Sequence, residues 1–129
     1  MDYIIVVGAG LLGYVFGAIW YGALGRIWQG AVGLSAEEVK PANSKGAYVW
    51  ALVANVFIAG MMRHVFAASG VYGMGAGAIS GFGLGLFIAG SYLALNYAFA
   101  KRPMALRFID IGHAAGSSAV IGGFLGAMI

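Results

Sequence analysis

The chain contains no cysteine. Disulfides, a thiolate metal site and a cysteine nucleophile are excluded with it. Charge is scarce as well. Asp, Glu, Lys and Arg make up 9% of the 129 residues, against roughly 25% in an average soluble domain. So few charges cannot cover a globule with polar surface. Seven basic and four acidic residues leave a formal net charge of +3, too few charges for a nucleic-acid footprint.

Apolar residues fill the space that charge leaves. The composition is 62% hydrophobic, and the mean hydropathy is +0.92. The solvent of such a chain is lipid. A membrane-spanning helix needs about 20 mostly apolar residues, and four segments meet that length. Residues 3–25 carry no formal charge. A polar stretch with Glu37, Glu38 and Lys40 follows, and the second segment covers 46–66. From Arg63 to Lys101 no Asp, Glu, Lys or Arg occurs, which is too long for one helix. The run "SGVYGMGAG" (69–77) marks the break. The third segment covers 76–100. "KRP" (101–103) makes a tight turn, since Pro103 is tolerated there but not in a helix interior. The fourth segment covers 106–129. The expected fold is all-α: one integral membrane bundle of four transmembrane helices, residues 1–129.

Basic residues set the expected orientation. Arg26, Lys40 and Lys45 lie between segments one and two, and Lys101, Arg102 and Arg107 lie at the junction of segments three and four. Arg63 alone belongs to the other side. By the positive-inside rule both loops face the cytoplasm and both termini face away from it. A bacterial inner membrane is the default host for helical spans. The first segment lacks the basic flank of a signal peptide, so it reads as a retained helix. Trp20, Tyr21 and Trp28 flank its cytoplasmic end as an interfacial aromatic motif. In the first loop, Ser35 and Glu38 have the spacing of a capping box for a short interfacial helix that Pro41 ends. The preceding "RIWQGAVGL" is expected in the interface as well.

"IIVVGAGLLG" (4–13) has the G-x-G-x-x-G spacing of a dinucleotide-binding turn. That motif needs a strand, a turn and a helix, then a second strand ending in an acid. Here the apolar run continues through the glycines, and the next acid is Glu37. Gly8, Gly10 and Gly13 therefore read as close-contact points on a membrane helix. Other glycines recur every fourth residue: Gly13 and Gly17; Gly73, Gly77, Gly81 and Gly85; Gly112 and Gly116; Gly122 and Gly126. Small residues at i and i+4 let helix backbones approach closely. These rows can serve packing within the chain or self-association.

"GAIWYGALGRIWQGAVGLS" (17–35) resembles the first signature of the DUF1761 family. The match runs through Trp20, Tyr21, Gly22, Leu24, Gly25, Trp28, Gly33, Leu34 and Ser35, and Ala23 stands where the family has proline. "NYAFAKRPMALRFIDIGH" (96–113) resembles the second through Asn96, Pro103, Ile109, Asp110, Gly112 and His113. The resemblance implies a small bacterial four-helix membrane protein and supplies no activity.

Ionisable groups inside a membrane are costly and mark candidate sites. Asp110, His113 and Ser117 fall on one helix face. Asn55, Ser91 and Ser118 are further polar candidates. Asn96 lies at similar depth across the hairpin, so Asn96, Asp110 and His113 are expected to cluster about 10 Å inside the cytoplasmic boundary, with Ser117 completing the polar cluster on the same face. One reading is a proton or cation site. The other is structural, with Asp110 paired to Arg107, Lys101 or Arg102. Asp110 and His113 supply only two metal ligands, and His64 lies toward the opposite face, so no metal site is expected. No catalytic residue and no cofactor are expected either. The expected role is a non-enzymatic structural or accessory subunit, a homo-oligomer or part of a larger membrane complex, associating through glycine-rich faces. The alternative is an oligomeric small-solute, ion or proton transporter or channel using Asp110 and His113.

Overall fold

The computed structural model describes residues 2–33, 35, 37 and 45–129. Among these, every regular element is helical. Four helices are long and apolar enough to cross a membrane: α1 (Asp2–Val32), α2 (Lys45–Ser69), α3 (Met74–Phe99) and α4 (Met104–Met128). The glycine-rich "IIVVGAGLLG" lies wholly inside α1, with no strand or turn. Beyond residue 25, where the apolar count stops, α1 runs on unbroken through Val32. Its 31 residues give about 46 Å at 1.5 Å per residue, longer than the ~30 Å hydrocarbon layer. Of the expected capping pair and its stop, Glu38 and Pro41 lie outside the described residues.

Glycine geometry ends α2. Gly70 takes φ +69, and the Val71 N–H donates to the Phe66 carbonyl at 3.0 Å, which is a Schellman closure. The α3–α4 hairpin closes the same way, but with a non-glycine residue. Lys101 takes φ 56, Lys101 N–H reaches Ala98 O at 3.3 Å, and Arg102 N–H reaches Tyr97 O at 2.9 Å. Pro103 then starts α4.

The packing is inverted relative to a soluble bundle. Large apolar side chains such as Ile19, Trp50, Phe57, Ile79, Phe87 and Phe108 point outward. Glycine, alanine and the polar side chains Asn55, Asp110, Ser117 and Ser118 are buried. In lipid no hydrophobic force drives helices together, so close backbone approach and hydrogen bonds must do it. α4 is the most buried of the four helices and packs against the other three. On the α3 side, glycine meets backbone. A Cβ on Gly77 would strike the Gly122 carbonyl, one on Gly81 the Ser118 carbonyl, and one on Gly126 the Gly73 carbonyl. The Gly73 N–H donates to Gly126 O at 2.8 Å. On the α1 side, rings fill glycine notches: Phe16 lies over Gly116 and Trp20 over Gly112. An apolar cluster of Ala9, Ala59, Met62, Phe66, Ile121 and Leu125 joins α1, α2 and α4 at one end. Of the buried polar residues, Asp110, Ser117 and Ser118 lie in the rest of α4 and Asn55 in α2.

α3 is not a uniform α-helix. Between Met74–Gly83 and Gly90–Phe99 it widens into a π-helical stretch, Leu84–Ala89. The Gly90 N–H donates to Gly85 O, five residues back. The buried row Gly77, Gly81, Gly85 therefore continues at Gly90, not at Ala89. One extra residue in a turn rotates everything after it by about 100°.

Candidate functional site

The antiparallel α1 and α4 share one register. Gly13 faces Ile121 and Asn55, Gly17 faces His113, and Tyr21 meets Asp110. Three of these α1 positions are four residues apart, so they form one stripe. Two glycines bring the backbone close, and the third position carries a phenol instead.

Asp110 is the centre of the site and is only 9% exposed. The Tyr21 hydroxyl donates to its Oδ1 at 2.6 Å, and the Tyr97 hydroxyl donates to its Oδ2 at 2.7 Å. Both are short, as bonds to a carboxylate are. Tyr21 comes from α1, Tyr97 from the last turns of α3, and Asp110 from α4. One carboxylate therefore ties three helices. The neighbouring backbone is also held, because Trp20 Nε1 donates to the Ile109 carbonyl at 2.9 Å. A Cβ on Gly112 would lie 2.7 Å from the Trp20 indole. Trp20 and Tyr21 thus make specific contacts with α4. The two stretches that carry the family resemblance meet each other: Trp20 and Tyr21 of the first contact Ile109, Asp110 and Gly112 of the second.

His113 lies one turn along α4. Its ring is 4.9 Å from the Tyr21 ring and 6.3 Å from Phe16. Its Nε2 fills the space that a side chain at position 17 would need. Trp28 packs edge-on to Tyr21 at 6.3 Å. Deeper still, the Ser117 hydroxyl lies 3.3 Å from Asn55 Oδ1 and 3.5 Å from Gly13 O. Both are acceptors, so its single proton bridges α4 to α2 or to α1. The Asn55 amide is anchored by donating to Ala51 O at 2.8 Å. Asp110, His113 and Ser117 do fall on one face of α4, and that face looks at α1.

Asn96 is not part of this cluster. It is exposed, and Tyr97 reaches the carboxylate in its place. The cause is the π-helical stretch. In an uninterrupted α-helix position 96 would follow Gly85 on the inner face, and the extra residue hands that place to 97. Arg107 does not pair with Asp110. Its guanidinium donates to the Arg102 carbonyl at 3.2 Å and the Tyr97 carbonyl at 3.5 Å, stiffening the hairpin. Sequence reasoning missed Tyr97 as a partner of the site. A tyrosine beside the expected asparagine was visible, but the π turn that selects it was not.

The glycine row expected to serve packing or association is largely spent inside the chain: Gly13, Gly17, Gly77, Gly81, Gly85, Gly112 and Gly116 all abut another helix. Gly73 itself has open space for a side chain, though its φ of +91 would strain one. Among the described residues no three His, Asp or Glu side chains gather as a metal site would require. Two shallow depressions of about 360 and 340 Å³ lie on outer faces, at Gly46, Val49, Trp50 and Val53 and at Phe87, Ile88, Ser91, Tyr92 and Leu95. Neither is lined by Asp110. The arrangement offers hydrogen bonding between helices and, along α4, a short line of protonatable groups.

No curated protein and no solved structure matches the chain. A family model described as a protein of unknown function, DUF1761, matches residues 4–126. That is nearly the whole chain, both signature stretches included, and the chain belongs to the DUF1761 family.

Proposed function

We propose that this protein is a non-enzymatic membrane subunit whose buried polar groups hold its helices together. One observation carries the reading: both oxygens of Asp110 accept hydrogen bonds from tyrosines on two other helices. A carboxylate so engaged serves assembly of the bundle. Ser117 and Asn55 serve it in the same way at the next level. The host is a bacterial inner membrane. The α3–α4 hairpin with Lys101, Arg102 and Arg107 faces the cytoplasm, and both termini face away. The partner is a second copy or a larger membrane complex. With Gly77 and Gly81 covered by α4, the helical glycines open to a partner include Gly22, Gly25, Gly30, Gly75 and Gly83, where no neighbour lies within 4 Å.

A second reading is favoured by one feature. Asp110, His113 and Ser117 line up along α4, and the His113 ring sits 4.9 Å from the ring of the tyrosine that holds Asp110. Such a line suits proton or cation passage. Reconstitution into liposomes separates the two. A structural subunit gives no proton or cation flux above empty vesicles. Flux in the wild type that disappears in both Asp110→Asn and His113→Ala replaces the first reading with the second.

A further inference from the structure

The π-helical stretch leaves a residue unaccounted for. Asn96 is an amide inside a membrane-spanning helix, yet it is exposed. Tyr97, its neighbour, holds Asp110. Both side chains can donate to a carboxylate. They differ only by one step of helical rotation, and one step is what the π turn supplies.

The surroundings suit a change of that size. Gly83 and Gly90 bracket the stretch and Gly85 lies within it, so rotation meets few side chains of its own helix. Above it, Gly77, Gly81 and Gly85 are locked backbone to backbone on α4. Below it, the inner side of Gly90–Phe99 has one fully buried residue, Gly90, against Ile111, and one strong bond, Tyr97 to Asp110. Its outer side is apolar: Tyr92, Leu95 and Phe99 are exposed. Lipid accepts such a face in any rotation. One half of α3 is fixed by backbone packing; the other is held at Gly90, at the Tyr97–Asp110 bond and at the hairpin, where the Tyr97 carbonyl accepts from the Arg102 N–H and from Arg107.

We propose that Leu84–Ala89 is a register switch. In its π form it places Tyr97 on Asp110. When it relaxes to an α form with no residue lost, the segment below turns by one residue, Asn96 takes the carboxylate, and Ala89 replaces Gly90 opposite Ile111. Tyr97 then swings off α4, and the Tyr21 bond alone ties the other helices to the carboxylate. The switch goes beyond the proposed role of the protein, since it determines what Asp110 touches whether that residue is structural or transports a proton.

The absence of native cysteine allows a direct test by disulfide trapping in membranes. Gly90→Cys with Ile111→Cys reports the π form, and Ala89→Cys with Ile111→Cys reports the α form. Both pairs are expected to crosslink in the full chain. Deleting exposed Phe87 removes the extra residue, so a plain α-helix then keeps Tyr97 on Asp110. In that background the pair at the former position 89 is expected to fall to background while the pair at the former position 90 persists. Deleting Leu86 is the equivalent variant if the first does not insert. The switch is overturned if the 89–111 pair stays at background in the full chain, or if it crosslinks equally well in the deletion background. Failure of the 90–111 pair in the full chain overturns it too, because the π register itself would then be absent.

Discussion

Removing the two phenols from Asp110 one at a time should reveal which helix pair the carboxylate holds most firmly. Tyr21→Phe deletes one hydroxyl and little else, and it leaves Asp110 Oδ1 without the 2.6 Å bond. Hydrogen bonds to charged groups contribute about 1.5–3 kcal/mol in soluble proteins. In membrane proteins measured side-chain bonds average about 0.6 and reach about 1.7 kcal/mol. The short distance and the packing of Tyr21 between the His113 and Trp28 rings put Tyr21→Phe at the upper end, about 1–2 kcal/mol. Tyr97 lies beside the exposed hairpin, where water can take over Oδ2. Its loss should cost about 0.5 kcal/mol. Asp110→Leu orphans two hydroxyls at once and should cost about 2–4 kcal/mol. Asp110→Asn keeps one acceptor oxygen and adds a donor that a phenol oxygen can receive, so it should cost less than Asp110→Leu. Reversible unfolding in mixed micelles, followed by circular dichroism against increasing SDS fraction, measures each difference. A larger effect for Tyr97→Phe than for Tyr21→Phe, or an Asp110→Leu variant no weaker than Tyr21→Phe, would refute the reasoning.

Further outcomes can be read in the same assay. Gly122→Ala places a methyl on the Gly77 backbone, which cannot rotate away, so α3 must separate from α4 at a cost of about 1–3 kcal/mol. Gly22→Ala meets nothing within 4 Å and removes a flexible helical residue, so it should be neutral or stabilising by up to about 1 kcal/mol. A lower unfolding midpoint for Gly22→Ala would indicate a partner surface there. Lys101→Gly relieves a left-handed conformation at φ 56 and should raise stability by about 1 kcal/mol. Gly112→Val displaces the Trp20 ring, and a shift in tryptophan emission relative to wild type is expected. An unshifted spectrum would place Trp20 elsewhere.

The architecture was legible in the sequence because membrane insertion is a local matter. About 20 apolar residues suffice for a span whatever the rest of the chain does, so the four spans follow from composition and from the positions of a few charges. The breaks at Gly70 and Lys101–Pro103 were legible for the same reason: local backbone chemistry ends a helix. So was the shared face of Asp110, His113 and Ser117, which needs only the helical period. Partners were a different matter. That Trp20 would sit on Gly112 and Tyr21 on Asp110 depends on the register between α1 and α4, which no single segment contains. Asn96 is expected at the site from its depth across the hairpin, but depth does not say which way a side chain faces, and the π turn gives the inner face to Tyr97. The glycine rows were visible as rows, but their use within the chain depends on which helix lies opposite. Sequence alone thus determined that there are four long apolar segments and which faces carry small or polar residues, because those depend on lipid and on neighbours along the chain; the end of the first segment was not legible, since α1 runs on to Val32. Only the tertiary structure decided which faces meet, because in lipid that choice rests on backbone fit and on hydrogen bonds between residues far apart in the chain.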